Sequence, residues 1–118
     1  MIENFGIGID IINVSRFQKQ PYEKKSSFYR KLFSPSEIKY CLKFKDPYQR
    51  FAGKFALKEA VKKSIKEPIT FLEIETYHKN SKPCIRLTDK YHKKYRLLCS
   101  ISHDSGIALG IVISEKIN

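Results

Sequence analysis

The stretch from Pro47 to Lys66 constrains this chain more than any other. Tyr48, Phe51, Ala52 and Phe55 recur at helical spacing, so the segment reads as a long helix opened by Pro47 and ended by Pro68. Its opposite side, Leu57, Ala60, Val61 and Ser64, is also mostly apolar. A helix apolar on two sides belongs between other elements. At about 100° per residue, Glu59 falls inside the first stripe, which marks it as more than an ordinary solvent-facing charge. Lys54, Lys58, Lys62 and Lys63 run along the same helix. Such a run reads either as a solvated face or as donors for phosphate groups held near Glu59.

With 118 residues there is room for one domain, read here as residues 1–118, around one core. Residues 5–12, Phe5-Gly6-Ile7-Gly8-Ile9-Asp10-Ile11-Ile12, alternate as a strand. Ile7, Ile9 and Ile11 share one face; Gly6, Gly8 and Asp10 share the other, where absent side chains are expected to leave space beside the carboxylate. Asn13 or Ser15 is the expected cap of a short helix carrying Arg16 and Phe17, and residues 19–30 read as a loop or frayed helix. Ser34-Pro35-Ser36-Glu37 has capping-box spacing and starts a helix expected to reach about Lys45. After Pro68, residues 70–77 alternate as a strand, Asn80-Ser81-Lys82-Pro83 turns, and residues 84–87 return as its hairpin partner. Residues 88–94 hold at most one helical turn. Residues 96–103 and 107–114 are two further strands joined by Asp104-Ser105-Gly106. The sum is an α+β fold, with helices mainly in the first half and an antiparallel sheet against the long helix.

A hydrophobic content of 42% excludes a wholly disordered chain. The formal net charge of +11 points to an anionic partner: nucleic acid, a phosphorylated cofactor, an acidic protein or a membrane surface. Cys41, Cys84 and Cys99 are odd in number and widely spaced, which argues against a disulfide scaffold or a zinc site and for a reducing compartment. No apolar run approaches the roughly 20 residues of a membrane span, and no secretory leader is visible. A soluble, cytoplasmic protein is expected.

Two carboxylates stand where a carboxylate is costly: Asp10 in an Ile/Gly strand and Glu59 on the inner side of the long helix. Such a group protonates or finds a cation. Mg²⁺ is one candidate, since it takes one or two carboxylates together with substrate phosphate oxygens. The plainer alternatives are that Glu59 pairs with Lys63 one turn later and that Asp10 caps the following helix. His103, in Ser100-Ile101-Ser102-His103-Asp104, reads by itself as a turn residue. Ser102 lacks a nucleophile elbow, and Gly6-Ile7-Gly8 lacks the third glycine of a dinucleotide fingerprint.

Taken together, five stretches resemble the holo-acyl-carrier-protein synthase family of 4′-phosphopantetheinyl transferases. These are Gly6-Ile7-Gly8-Ile9-Asp10-Ile11 followed by Arg16, then Phe33-Ser34-Pro35-Ser36-Glu37, then Phe51 to Lys63, and finally Lys82-Pro83 with Ser100 to Asp104. The resemblance runs through essentially the whole chain in order. It implies transfer of the 4′-phosphopantetheine arm of coenzyme A to a serine of apo-acyl carrier protein, leaving 3′,5′-ADP, in fatty acid biosynthesis. It further implies that Asp10 and Glu59 ligate Mg²⁺ and that Lys63 binds the diphosphate or positions the serine. Lys54 and His103 match positions near coenzyme A phosphates. The acceptor of the serine proton is left open between Glu59 and a water on the metal. The resemblance also implies a homotrimer with sites between subunits. Its acidic carrier protein would dock on Arg16, with Lys24, Lys25, Arg30 and Lys31 as neighbours.

The chain departs from the family after the long helix, where Ser64-Ile65-Lys66-Glu67-Pro68 replaces a glycine-rich turn that would cradle phosphate. Ser81 also stands where glycine is usual, and the helix after Leu87 is shortened. Two other classes compete. One is a small basic RNA-binding module, because Tyr22, Phe28, Tyr29, Tyr40 and Phe44 interleave with Lys and Arg. The other is a catalytically inactive relative, against which the presence of Asp10, Glu59, Lys63 and His103 speaks.

Overall fold

The computed structural model describes residues 2–117. Strand β1 (Phe5–Asn13) leads into α1 (Ser15–Gln18), α2 (Tyr22–Leu32), α3 (Pro35–Leu42) and the long helix α4 (Pro47–Ser64). After a 3₁₀ turn at Phe71–Glu73 come β2 (Ile74–Lys79), β3 (Lys82–Leu87), α5 (Asp89–His92), β4 (Tyr95–Asp104) and β5 (Ile107–Lys116). The strands form an antiparallel sheet ordered β1-β5-β4 and a separate β2-β3 hairpin. Both hairpin turns place two consecutive residues at positive φ, Asn80-Ser81 (52° and 66°) and Ser105-Gly106 (51° and 77°). That geometry matches the right-handed twist of the paired strands. The second turn also accepts a hydrogen bond from Val14 N at Gly106 O, which fixes where the chain leaves β1.

Helix α4 is buried nearly all round, as its two apolar sides require: every residue from Phe51 to Lys58 is buried. One side packs Phe51, Ala52, Phe55 and Ala56 with Phe17, Tyr29, Phe33, Ile38 and Cys41 from α1 to α3. The other packs Leu57, Ala60 and Val61 with Ile74, Leu87, Tyr91, Tyr95 and Val112 from the strands and α5. Asp46, which the sequence reading did not single out, caps the helix by accepting from Tyr48 N and Gln49 N.

The glycine face of β1 corrects one expectation. Gly6 and Gly8 do not leave open space beside Asp10; the backbone of α4 fills it. A β-carbon at Gly8 would lie 1.9 Å from Ala60 O, and one at Gly6 would lie 1.8 Å from Ser64 O. The glycines therefore let helix and strand meet backbone to backbone. Gly8→Ala should force them apart and destabilise the fold by about 1–3 kcal/mol. Chemical denaturation checks this, and an unchanged midpoint would refute the close-contact argument.

Other boundaries move for local reasons. Neither Asn13 nor Ser15 caps α1: Val14 occupies the cap without a side-chain bond. Residues 19–30 are mostly helical, with a break at Lys25 (φ −126°, ψ 32°) inside α2. The Ser34/Glu37 capping box forms, but α3 stops at Leu42 rather than near Lys45. Thr70 opens a 3₁₀ turn instead of a strand because Glu73 accepts from Thr70 N, a second capping box.

Candidate active site

Asp10 lies midway along β1, an edge strand of the three-stranded sheet, opposite Gly110 of the central β5, and only 13% of its side chain is exposed. Lys63 reaches it from the last turn of α4. Its ammonium donates to Asp10 Oδ1 at 3.1 Å and to Ile9 O at 2.9 Å. The second oxygen, Asp10 Oδ2, is buried and has no hydrogen-bond partner among the described residues. A buried carboxylate oxygen left bare is costly. An added cation would satisfy it.

Glu59 is one helical turn before Lys63, on the same side of α4, and is half-buried with no ion pair among the described residues. Both plainer alternatives fail: Lys63 pairs with Asp10 rather than Glu59, and Asp10 caps no helix. Two carboxylates, one with an orphaned oxygen, and a neighbouring ammonium fit a hard divalent ion that shares its remaining positions with phosphate oxygens and water.

The other sequence-predicted residues lie elsewhere. His103 is on β4, its Nε2 3.2 Å from Gln49 O and its ring against Gly53, where a β-carbon would come within 3.0 Å. Gly53 precedes Glu59 by six residues, about 9 Å along a helix axis, so His103 does not join Asp10 within one chain. Arg16 holds its guanidinium 5.3 Å from the centre of the Phe55 ring and is exposed, as are Lys24, Lys25, Arg30 and Lys31 on α2.

Lys54 requires a correction. Only 2% exposed, it turns inward and donates to Thr76 O and Thr76 Oγ1 over the face of Tyr40, so it presents no ammonium to a phosphate. Lys58 is also fully buried, 2.7 Å from Glu37 Oε1, and donates to Leu32 O and Phe71 O as well. Glu37 accepts in addition from Ser34 N, Thr76 N and Thr76 Oγ1. Burial pulls both ammonium groups below their usual range, and the Glu37 carboxylate pulls the other way. The expected lysine face thus divides. Lys54 and Lys58 bind the helices to the β2-β3 hairpin, while Lys62 and Lys63 face solvent.

The aromatics that suggested stacking on RNA are structural. Tyr29 is fully buried and donates to Phe17 O and Gln20 O, while Tyr22, Phe28 and Tyr40 pack against the helical side of the core.

Comparison with known proteins agrees with this architecture. Residues 6–112 match the model of the 4′-phosphopantetheinyl transferase superfamily. A curated holo-acyl-carrier-protein synthase of Helicobacter pylori is 36% identical over 120 residues, covering 95% of this chain and 98% of that protein. One from Geotalea daltonii is 31% identical over 123 residues, with the same coverage. A crystal structure of the Helicobacter pylori synthase in complex with coenzyme A superposes with a TM-score of 0.79 at 37% identity, covering 92% of this chain and 99% of that one. These matches define a 4′-phosphopantetheinyl transferase. Within that superfamily, the chain belongs to the holo-acyl-carrier-protein synthase family.

Proposed function

We infer that this protein transfers the 4′-phosphopantetheine group of coenzyme A to a serine of apo-acyl carrier protein, giving holo-acyl carrier protein and 3′,5′-ADP. The observation that carries the assignment to these residues is the bare, buried Asp10 Oδ2 beside Lys63, one turn from Glu59. Asp10 and Glu59 would hold Mg²⁺. When bound there, the ion supplies positive charge against the donor's diphosphate and the departing 3′,5′-ADP. Lys63, already fixed by Asp10 and Ile9 O, directs a second positive charge at the same phosphates. Glu59, which has no ion pair among the described residues, is one candidate to take the serine proton, a water on the metal being the other. Mass spectrometry of apo-carrier protein incubated with coenzyme A and Mg²⁺ should show a gain of one phosphopantetheine, lost on chelation. No gain with any carrier protein would overturn the assignment.

Residues 1–118 are read as one transferase domain that serves fatty acid biosynthesis in the cytoplasm. No helix among the described residues is long and apolar enough to cross a membrane. The acidic carrier protein would dock over Arg16, Lys24, Lys25, Arg30 and Lys31 on α1 and α2, and raised salt should weaken that contact.

A homotrimer is part of the same proposal. The outer face of the sheet supports it: Ile7, Ile113 and Leu98 form one cross-strand row at 66%, 40% and 71% exposure, continued by Ile9 and Ile11. So large a contiguous apolar face is a characteristic of an association surface. In such an assembly His103, remote from Asp10 in its own chain, would serve a neighbour's coenzyme A. Ile9→Asp should convert a trimer to monomers in light scattering coupled to size exclusion. A wild-type protein that runs as a monomer would refute the trimer.

A further inference from the structure

The inward-facing residues of β5 run Ala108, Gly110, Val112 and Ser114, all of them buried. Ser114 is the one hydroxyl in that row, and at 2% exposure it needs a partner. It donates to Ser64 O at 2.8 Å, the last carbonyl of α4.

That bond does the work of a helix cap. The final carbonyls of a helix lack donors of their own, and many helices satisfy them by turning through a left-handed residue, usually glycine. Here Ile65 follows Ser64 with extended backbone (φ −117°, ψ 153°), and no glycine occurs between Ser64 and Pro68. The turn is closed from two sides instead. Ile65 N and Ser64 Oγ donate to Val61 O at 3.3 and 2.9 Å, while Ser114 caps Ser64 O from the sheet. Gly6, opposite Ser114 in the strand register, keeps the path clear, since a β-carbon there would lie 2.8 Å from Ser114 Oγ.

Lys63 immediately precedes this clamp. Its ammonium reaches Asp10 Oδ1 and Ile9 O from a side chain that is 53% exposed. A half-exposed ion pair on a flexible four-carbon stem is too weak to hold the backbone beneath it. Ser114 supplies that hold one residue away. We propose that Ser114 is a positioning residue for the transfer reaction: by capping Ser64 O it fixes the last turn of α4 and keeps the Lys63 ammonium beside Asp10. The inference rests on Lys63 acting at the diphosphate of coenzyme A.

Ser114→Ala should lower kcat/KM for coenzyme A about 5- to 20-fold, through the same parameter that Lys63→Ala moves. Ser114→Thr, which keeps the hydroxyl, should recover most of that loss. In a Lys63→Ala background, Ser114→Ala should change activity by less than about twofold, because its effect passes through Lys63. Equal losses in both backgrounds would mark Ser114 as merely structural and overturn the proposal. Native-state hydrogen exchange reads the clamp without turnover: the Ile65 amide should exchange about tenfold faster in Ser114→Ala while the β4-β5 amides keep their wild-type rates. If Ser114→Ala does not fold, Ser114→Cys, a poorer donor of similar size, carries the same comparisons. An active wild-type protein whose Ile65 exchange is unmoved by the substitution overturns the clamp alone. A wild-type protein that neither binds nor transfers from coenzyme A overturns the donor reading, and with it this role for Ser114.

Discussion

Replacing Asp10 by asparagine, or Glu59 by glutamine, is expected to lower phosphopantetheine transfer by about 100- to 1,000-fold, the scale of losing a charge-stabilising group in a transferase site. Both substitutions keep side-chain shape, so the loss should be one of chemistry. The Asp10–Lys63 pair leaves Lys63 half-exposed, and such pairs contribute at most about 1 kcal/mol of stability. Thermal melting should therefore move little while turnover collapses. The transferred mass on the carrier protein provides the assay, with circular dichroism as the control for folding. Full activity in both variants would show that the two carboxylates do not act on the reacting phosphates. Lys63→Ala separates a further role: once Lys63 is removed, a rise in coenzyme A KM would mark it as a binding group, whereas a fall in kcat alone would mark it as acting at the transition state.

The second large effect concerns stability. Glu37→Ala should cost about 3–5 kcal/mol, because it leaves the Lys58 ammonium buried without its counter-charge. It also strips Thr76 N of its acceptor and removes half of the capping box at Ser34. For a chain of this size, that corresponds to roughly a 10–20 °C fall in melting temperature. Combining Glu37→Gln with Lys58→Met should recover a large part of the loss, since a buried pair replaced on both sides is far less costly than one broken on one side. If Glu37→Ala melts within a degree or two of wild type, the network is not what joins α3, α4 and the β2-β3 hairpin.

The elements were legible wherever one local rule governed them. Two-sided apolarity located α4 and Ser34/Glu37 spacing located the start of α3, and both hairpin turns stand at the polar breaks. The candidate carboxylates, Asp10 and Glu59, stand out in the sequence because charge in an apolar pattern is rare. Burial of the lysines is not legible locally, because a lysine run along a helix is ordinarily a solvated face. Yet Lys54 and Lys58 stand with Phe51 and Phe55 at positions i+3 and i+7 of one helical stripe, the same projection that drew Glu59 inward. What no local rule supplied was their partner. Glu37 looked fully employed as a cap, and its reach to Lys58 and Thr76 depends on a chain crossing that only the tertiary fold creates.

The way β1 and α4 touch has a mechanical consequence. With nothing but main chain between Gly8 and Ala60, no rotamer stands there to flex or be repacked, so the strand bearing Asp10 and the helix bearing Glu59 and Lys63 move as a single stiff unit. Substitutions in the aromatic cluster around Phe17 and Tyr29 should therefore erode the melting point long before they alter the spacing of the two acidic groups. Backbone contact, with no side chain between to adjust it, sets how far Asp10 stands from Lys63.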